Sequence, residues 1–331
     1  MEILKNQKLG SLTTMKLGGT AKYLCTIINE QDVLKAVNFA KKNNLEIITI
    51  GTGSNIIFTD TIFDGLVIVN EVMGISFKKN GLVSIGSGEN WDKIVKLAVE
   101  KQLVGIEALS LIPGTAGGAP VNNIGAYGQE IKDTLLYVRA YDTVLEKFVR
   151  LENKDCEFTY RNSLFKTKAH SRYIICNISL KLSPLSDKYQ PPSYPSLQNE
   201  LLDSPINVRK AVIKIRSAKL PNPNIMPNTG SFFKNPIIEN SVAKKLLVKY
   251  PQMPAYPAGN KTKIPAGWLI ENAGLKGTKK EGLWIYDKQA LVIVNESATN
   301  FFSLQALIDY ITKTIYEKYG LRLEIEPEII K

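Results

Sequence analysis

The sequence predicts a mixed α+β protein of two or three domains, and three observations carry that expectation. The first hundred residues alternate helix, strand and glycine turn, and the middle of the chain is rich in strands. A proline-punctuated stretch near residue 220 then leads into a region where two helices bracket a strand. With 331 residues, 44% of them hydrophobic and 22% charged, the chain can bury a sizeable core and has the composition of an ordinary soluble protein.

Taken in order, Val33, Ala36, Val37 and Ala40 share one helix face, and LEIITI (45–50) alternates as a half-buried strand that runs into GTGSN. Strands at GLVIVN (65–70) and LVSIGSG (82–88) precede a helix with Trp91, Ile94, Val95 and Ala98 on one side. The region LIPGTAGGAPVNNIGAYG (111–128) has five glycines and two prolines and fits neither period, and long loops of this kind are often functional. LLYVRAYD (135–142) and KFVRL (147–151) predict a hairpin, and RYIICNISLKL (172–182) a long strand. LSPLSDKYQPPSYPS (182–196) reads as a surface excursion. Val208, Ala211, Val212 and Ile215 mark a helix leading to a domain boundary at KLPNPNIMPN. Helices at about 240–250 and 303–319 bracket QALVIVN (289–295). In the second, Ser303 is the expected N-cap, Leu304, Leu307, Ile308, Ile311 and Ile315 the apolar face, and Gly320 the stop. LRLEIEPEII (321–330) alternates as a final strand.

Composition narrows the function classes. No run reaches the eighteen or so apolar residues of a membrane span, and MEILKNQKLGS has no apolar signal segment, so a cytoplasmic location is expected. Cys25, Cys156 and Cys176 are odd in number, far apart and in apolar surroundings, which predicts buried thiols and neither disulfides nor a metal site. Forty-two basic against thirty-one acidic side chains give a formal charge of +11. The basic residues are scattered, with short groups at Lys41-Lys42, Lys78-Lys79 and Lys279-Lys280, and no arginine-rich arm or aromatic-basic motif points to nucleic acid. A phosphorylated small molecule explains the surplus equally well, as does plain solubility.

The glycine turns carry the chemistry. GTGSN, GTAGGAP and NIGAYG each offer backbone N–H groups unshielded by side chains, as close approach to a pyrophosphate requires, and together they suggest one long dinucleotide. None matches the simple dinucleotide fingerprint, IGSGENW departs from it too, and none carries a P-loop lysine. NTGSFFKNP (228–236) sets Ser231 where a hydrolase nucleophile would be sought. It is not G-x-S-x-G, however, and the one histidine, His170, lies in a polar stretch expected to be an exposed loop. A Ser231–Lys234 pair needs no histidine, but S-x-x-K recurs by chance.

In series, GTGSN, LIPGTAGGAPVNNIGAYG, TYRNS (159–163), RSAKLPNP (216–223), NTGSFFKNP, AGWLIENAGLKG (266–277), QALVIVN and EPEI (326–329) closely resemble the UDP-N-acetylenolpyruvoylglucosamine reductase (MurB) family, in order across nearly the whole chain. The resemblance implies an α+β fold: a two-subdomain FAD-binding region of the vanillyl-alcohol-oxidase/PCMH type plus an α/β substrate-binding domain. The expected limits are 1–70, completed by the C-terminal strand 321–331, then 71–204, then 218–320. It also implies non-covalent FAD, NADPH as hydride donor and UDP-N-acetylglucosamine enolpyruvate as the substrate reduced to UDP-N-acetylmuramate in peptidoglycan precursor synthesis. A monomer without nucleic-acid or membrane partners is expected.

Carried over by motif, the cofactor contacts are Gly51, Thr52, Gly53, Ser54, Asn55, Pro113, Gly114, Thr115, Gly117, Gly118, Gly125 and Tyr127. The substrate contacts are Tyr160, Tyr194, Arg216, Lys219, Asn235, Lys276 and Gln289, with QPPSYPSLQ more like the subtype whose tyrosine loop closes over the nucleotide. The catalytic residues are Arg161, Ser231 and Glu328. Hydride addition to the terminal carbon of an enol ether leaves negative charge on the adjacent carbon, delocalised into the carboxylate. A guanidinium suits that charge, and a serine hydroxyl, nearly as weak an acid as water, can protonate so basic a carbon. Thr13 stands where the family usually has asparagine, and Glu328 has to be held by a final strand docked in a sheet of the flavin region.

Overall fold

The protein, a computed structural model, is described over residues 1–166 and 171–331, so His170 and the loop expected around it lie outside the described residues. Its chain forms two compact units. The first comprises Met1–Gln7, Ala21–Thr52 and Ile62–Ala218, and the second Lys8–Thr20, Gly53–Thr61 and Lys219–Lys331. The boundary at Ala218 falls where KLPNPNIMPN begins. The division cuts across the expected 1–70 region, because residues 8–20 and 53–61 group with the C-terminal part of the chain.

In the first unit, β1 (Leu4–Lys8), β2 (Thr20–Ile27), β3 (Glu46–Ile50) and β4 (Ile62–Asn70) form a sheet in the order β1-β2-β4-β3, with β3 and β4 parallel around the helix α1 (Glu30–Lys42). The Asn29 side chain caps α1 by accepting the Asp32 N–H at 2.9 Å. A second sheet holds β5 (Ile75–Phe77), β6 (Leu82–Gly86), β7 (Leu135–Asp142), β8 (Lys147–Glu152) and β9 (Tyr173–Lys181), antiparallel in the order β8-β7-β9-β6-β5. One of its faces meets the first sheet and α1 through Tyr141, Ile174 and Cys176. The other covers the helix α2 (Trp91–Glu100) through Val83, Ile85, Val138, Ile178 and Leu180. A register shift against β7 leaves Cys176 as an extra residue in β9, so Ile174 and Ile178 serve opposite faces although their spacing alone would put them on one.

All three cysteines are buried, and burial raises each thiol from its usual 9.0 to about 12. The folded thiols keep their protons to about pH 12, whereas unfolded ones lose theirs near 9.0. Their contribution to stability is therefore complete below 9.0 and is lost as pH rises towards 12. Thiol titration of the native protein near neutral pH is expected to find no fast-reacting cysteine, and the denatured chain to release all three.

The helix α3 (Pro205–Lys219) closes the first unit, and the second begins its sheet with β10 (Asn228–Ser231). The helices α4 (Asn240–Lys249) and α5 (Ala266–Asn272) follow, then β11 (Leu283–Ile285), β12 (Val292–Asn295), the helix α6 (Phe301–Tyr319) and β13 (Glu328–Ile330). The sheet runs β10-β12-β11 with a short edge at Lys279–Lys280, and its core joins Phe232, Phe233, Leu269, Ile293, Leu307 and Ile311. Ser303 is not the cap of α6. Asn300 takes that place, accepting the Ser303 N–H at 2.9 Å, and the Asp60 carboxylate accepts the Phe301 N–H at 2.7 and 2.8 Å, so the helix starts earlier than its apolar stripe indicates. Gly320 ends it in left-handed backbone at φ 69°.

The carboxyl end is not one continuous strand. Phe233 bridges Ile325, with the Glu326 N–H donating to the Phe232 carbonyl at 2.9 Å and the Lys234 N–H to the Glu324 carbonyl at 2.9 Å. Pro327, which has no N–H to give, separates this pairing from β13, and β13 lies parallel to Ile56–Phe58 just beyond GTGSN. Among the described residues no helix is long and apolar enough to cross a membrane.

Candidate active site

In the first unit the glycine turns are stacked by their own backbones. The Trp91 N–H donates to the Gly114 carbonyl at 3.1 Å, Ala116 to Glu89 at 2.8 Å and Gly117 to Ser87 at 2.8 Å, so the loop through Pro113, Gly114 and Thr115 lies on the 87–91 turn. These approaches leave no room for side chains: a Cβ on Gly117 would stand 2.7 Å from the Ser87 Cβ, and one on Gly51 2.4 Å from Thr115 Oγ1. Gly118 differs, since a Cβ there would meet nothing nearer than Thr115 Oγ1 at 3.8 Å. The IGSGENW turn, which matches no fingerprint, is thus part of the platform.

Gly125 and Ala126 pair with Gln129 and Glu130 around a turn of positive φ at Tyr127 (49°) and Gly128 (88°). The TYRNS turn is stitched to this loop by residues of the two motifs that were given no role of their own. Buried Asn123 donates to the Thr159 carbonyl and to Glu130 Oε2, each at 3.0 Å, and Ser163 Oγ donates to the Val121 carbonyl at 2.7 Å. Arg161 itself is left-handed, φ 54°, and its Nη2 donates to the Gly125 carbonyl at 2.8 Å while its guanidinium lies 5.4 Å from the Tyr160 ring centre. A strained non-glycine residue pinned in this way displays a fixed cation.

Tyr194 packs edge-to-face on Tyr127 with ring centres 5.4 Å apart and is itself exposed. Burial raises the Tyr127 phenol against the opposing pull of Arg216, and burial lowers the Arg216 guanidinium, which the same tyrosine partly offsets. The buried Nε of Arg216 has no hydrogen-bond partner. Tyr189, in the proline-rich excursion, donates to buried Glu107 at 2.9 Å.

The GTGSN turn passes from one unit to the other, with Gly51 and Thr52 in the first and Gly53, Ser54 and Asn55 in the second. Gly53 has φ 63°, and a Cβ on it would lie 2.1 Å from the Leu12 carbonyl oxygen, so the segment carrying Thr13 fixes the turn. Thr13 is anchored there, its hydroxyl donating to the Gly10 carbonyl at 3.3 Å and the Leu17 carbonyl at 3.1 Å. The Glu328 N–H donates to the Asn55 carbonyl at 2.9 Å, which ties the last strand to this turn.

Ser231 follows a bulge. Asn228 pairs with Val294 and Ser231 with Val292, which leaves an extra residue between them at Thr229–Gly230. Gly230 has φ 73°, a Cβ on it would meet nothing within 4 Å, and its N–H donates to Asn228 Oδ1 at 2.8 Å. Two residues beyond Ser231, Phe233 bridges Ile325, so the segment that follows the serine pairs with the segment that precedes Glu328. Phe232 and Phe233 behind it are fully buried and in edge-to-face contact. Lys234 Nζ goes to Glu324 at 3.2 Å, which favours a structural role over a serine–lysine pair.

The other expected substrate contacts are spread around the second unit. Asn235 Oδ1 accepts the Ala266 N–H at 2.9 Å at the start of α5, and Gln289 Oε1 would lie 3.1 Å from a Cβ on Gly267 in the same helix. Lys276 pairs with Glu271, and Lys219 is exposed at the end of α3.

Stacked glycine turns beside a fixed arginine are suited to a dinucleotide and an anionic group. Residues 21–149 match the FAD binding domain family, and residues 222–330 match the family described as UDP-N-acetylenolpyruvoylglucosamine reductase, C-terminal domain. The chain is 38% identical to a UDP-N-acetylenolpyruvoylglucosamine reductase of Ralstonia nicotianae, over 97% of each chain, and 39% identical to that of Cupriavidus pinatubonensis, over 94% of each. A solved reductase of this name from Thermus caldophilus shares the fold, with a TM-score of 0.71 at 22% identity over 100% of this chain and 98% of that one. The chain belongs to the UDP-N-acetylenolpyruvoylglucosamine reductase family.

Proposed function

We propose that Arg161, Ser231 and Glu328 divide the work in the reduction of UDP-N-acetylglucosamine enolpyruvate to UDP-N-acetylmuramate. FAD, reduced by NADPH, supplies the hydride. The backbone from Gly51 to Asn55, the loop at Pro113, Gly114, Thr115, Gly117 and Gly118, and the turn at Gly125 and Tyr127 hold the dinucleotide, a reading supported at Gly118, where a Cβ would meet nothing nearer than 3.8 Å and the backbone is open to close approach.

Arg161 stabilises the charge that develops on the substrate carboxylate, and Glu328 polarises the same group. Ser231 Oγ gives its proton to the carbon bearing that carboxylate. Hydride and proton thus add across one double bond, and the serine recovers its proton afterwards. The observation that supports this reading is the Phe233–Ile325 bridge, which pairs the segment following the Gly230 bulge and Ser231 with the segment preceding Glu328. Tyr160, Tyr194, Arg216, Lys219, Asn235, Lys276 and Gln289 bind the nucleotide.

Consumption of NADPH by the purified protein is expected to depend on the enolpyruvyl nucleotide and to yield one reduced product per NADPH. Nucleotide-independent consumption would count against the assignment. The chain works as a cytoplasmic monomer with small-molecule partners, and light scattering is expected to return 36.8 kDa, a dimer mass being the contrary result.

A further inference from the structure

Leu111 opens the glycine-rich loop in left-handed backbone, φ 60°, a conformation that bulky residues rarely adopt and that neither dinucleotide binding nor Ser231 explains. Both of its peptide groups are engaged. Its N–H donates to Asp92 Oδ1 at 2.6 Å, and its carbonyl accepts from Arg216 Nη2 at 3.3 Å. Asp92, in the first turn of α2, is itself gripped by Arg209, with Nη1 to Oδ1 at 2.6 Å and Nη2 to Oδ2 at 2.8 Å. Burial alone would raise the Asp92 carboxyl, but Arg209 and the Leu111 N–H together hold it below the usual carboxylate range. Arg209 and Arg216 are seven residues, two turns, apart on one face of α3. A closed circuit runs from α3 through Arg209, Asp92 and Leu111 back to α3 at Arg216.

We infer that Asp92 is a positioning residue for Arg216: by holding the strained Leu111 peptide it fixes the carbonyl that orients the guanidinium towards a phosphate or carboxylate oxygen of the nucleotide. The inference rests on Arg216 being a substrate contact. The neighbouring dinucleotide platform does not depend on the Asp92 side chain, because Gly114, Ala116 and Gly117 are fixed by backbone bonds to Trp91, Glu89 and Ser87. On the other side of Leu111, the Trp91 indole donates to the Leu109 carbonyl at 3.1 Å. Loss of the carboxylate therefore releases Leu111 between two intact anchors.

The test is steady-state kinetics on the flavin-loaded enzyme, with flavin content and Tm measured alongside. Asp92→Ala is expected to raise KM for the enolpyruvyl nucleotide about tenfold, the equivalent of about 1.4 kcal/mol, with kcat and flavin content little changed. Arg209→Gln, which loosens the carboxylate without removing it, is expected to raise KM by a smaller factor. In the Asp92→Ala/Arg216→Ala double variant, KM is expected to rise no further than with Arg216→Ala alone. Multiplying effects would overturn the inference, as would a fall in kcat and flavin content together with the rise in KM, the mark of a merely structural residue. If Arg216→Ala leaves KM unchanged, the premise fails instead, and the inference with it.

Discussion

Ser231→Ala is expected to leave the rate at which NADPH bleaches the bound flavin nearly unchanged and to slow reoxidation by the enolpyruvyl nucleotide by about 10²- to 10⁴-fold. The asymmetry follows from the chemistry. Flavin reduction needs no proton on substrate carbon, whereas the second half-reaction ends with a carbon that must be protonated. Little reorganisation of the site is expected, because the Gly230 bulge and the flanking bonds of Asn228 and Phe232 are made by groups other than the serine hydroxyl. Stopped-flow absorbance of the two half-reactions checks this. Equal slowing of both would remove the serine from the proton-donor role.

Arg161→Ala is the second large effect. The loss is expected to be about 10²- to 10³-fold, again in the second half-reaction, because in the proposed role the guanidinium acts on negative charge that grows on the carboxylate as hydride is added. Arg161→Lys is expected to recover only part of it. The guanidinium is held by the Gly125 carbonyl and lies over Tyr160, and a flexible ammonium reproduces neither the planar fork nor the stacking. A lysine variant with full activity would show that any cation suffices.

Much of the fold was legible because local physics and tertiary structure agree along most of the chain. The stripe Val33, Ala36, Val37 and Ala40 is buried, and LLYVRAYD with KFVRL is the expected hairpin. Where they disagreed, a partner distant in sequence decided. The cap of α6 moved to Asn300 as Asp60, 241 residues away, took the Phe301 N–H. The bulge at Cys176 follows from register against Leu135–Asp142, which alternation within RYIICNISLKL does not encode. Alternation marked LRLEIEPEII as one strand, but Pro327, which cannot donate an N–H, divides it into two pairings.

The glycines of the candidate site were readable as turns open to a phosphate, while the structure shows Gly51, Gly53 and Gly117 lying too close to Thr115, Leu12 and Ser87 to carry a side chain. The roles of Arg161, Ser231 and Glu328 were not readable from residue type. An arginine after a strand, a serine in a turn and a carboxylate near a chain end are ordinary features, and it was the series of motifs that gave them a reaction. Asn123 lies within LIPGTAGGAPVNNIGAYG, but nothing local marks its role, since its partner Thr159 is 36 residues away. Asp92 and Arg209 are 117 residues apart, and their connection depends entirely on α2 and α3 being folded.

The central claim, that the enolpyruvyl nucleotide takes its hydride from a flavin reduced beforehand by NADPH, is tested most directly by an anaerobic single turnover. The enzyme is reduced with one equivalent of NADPH, the spent nucleotide is removed, and UDP-N-acetylglucosamine enolpyruvate is added. Return of the oxidised flavin spectrum with an equal amount of UDP-N-acetylmuramate is the expected result. A flavin that stays reduced until oxygen is admitted would contradict it.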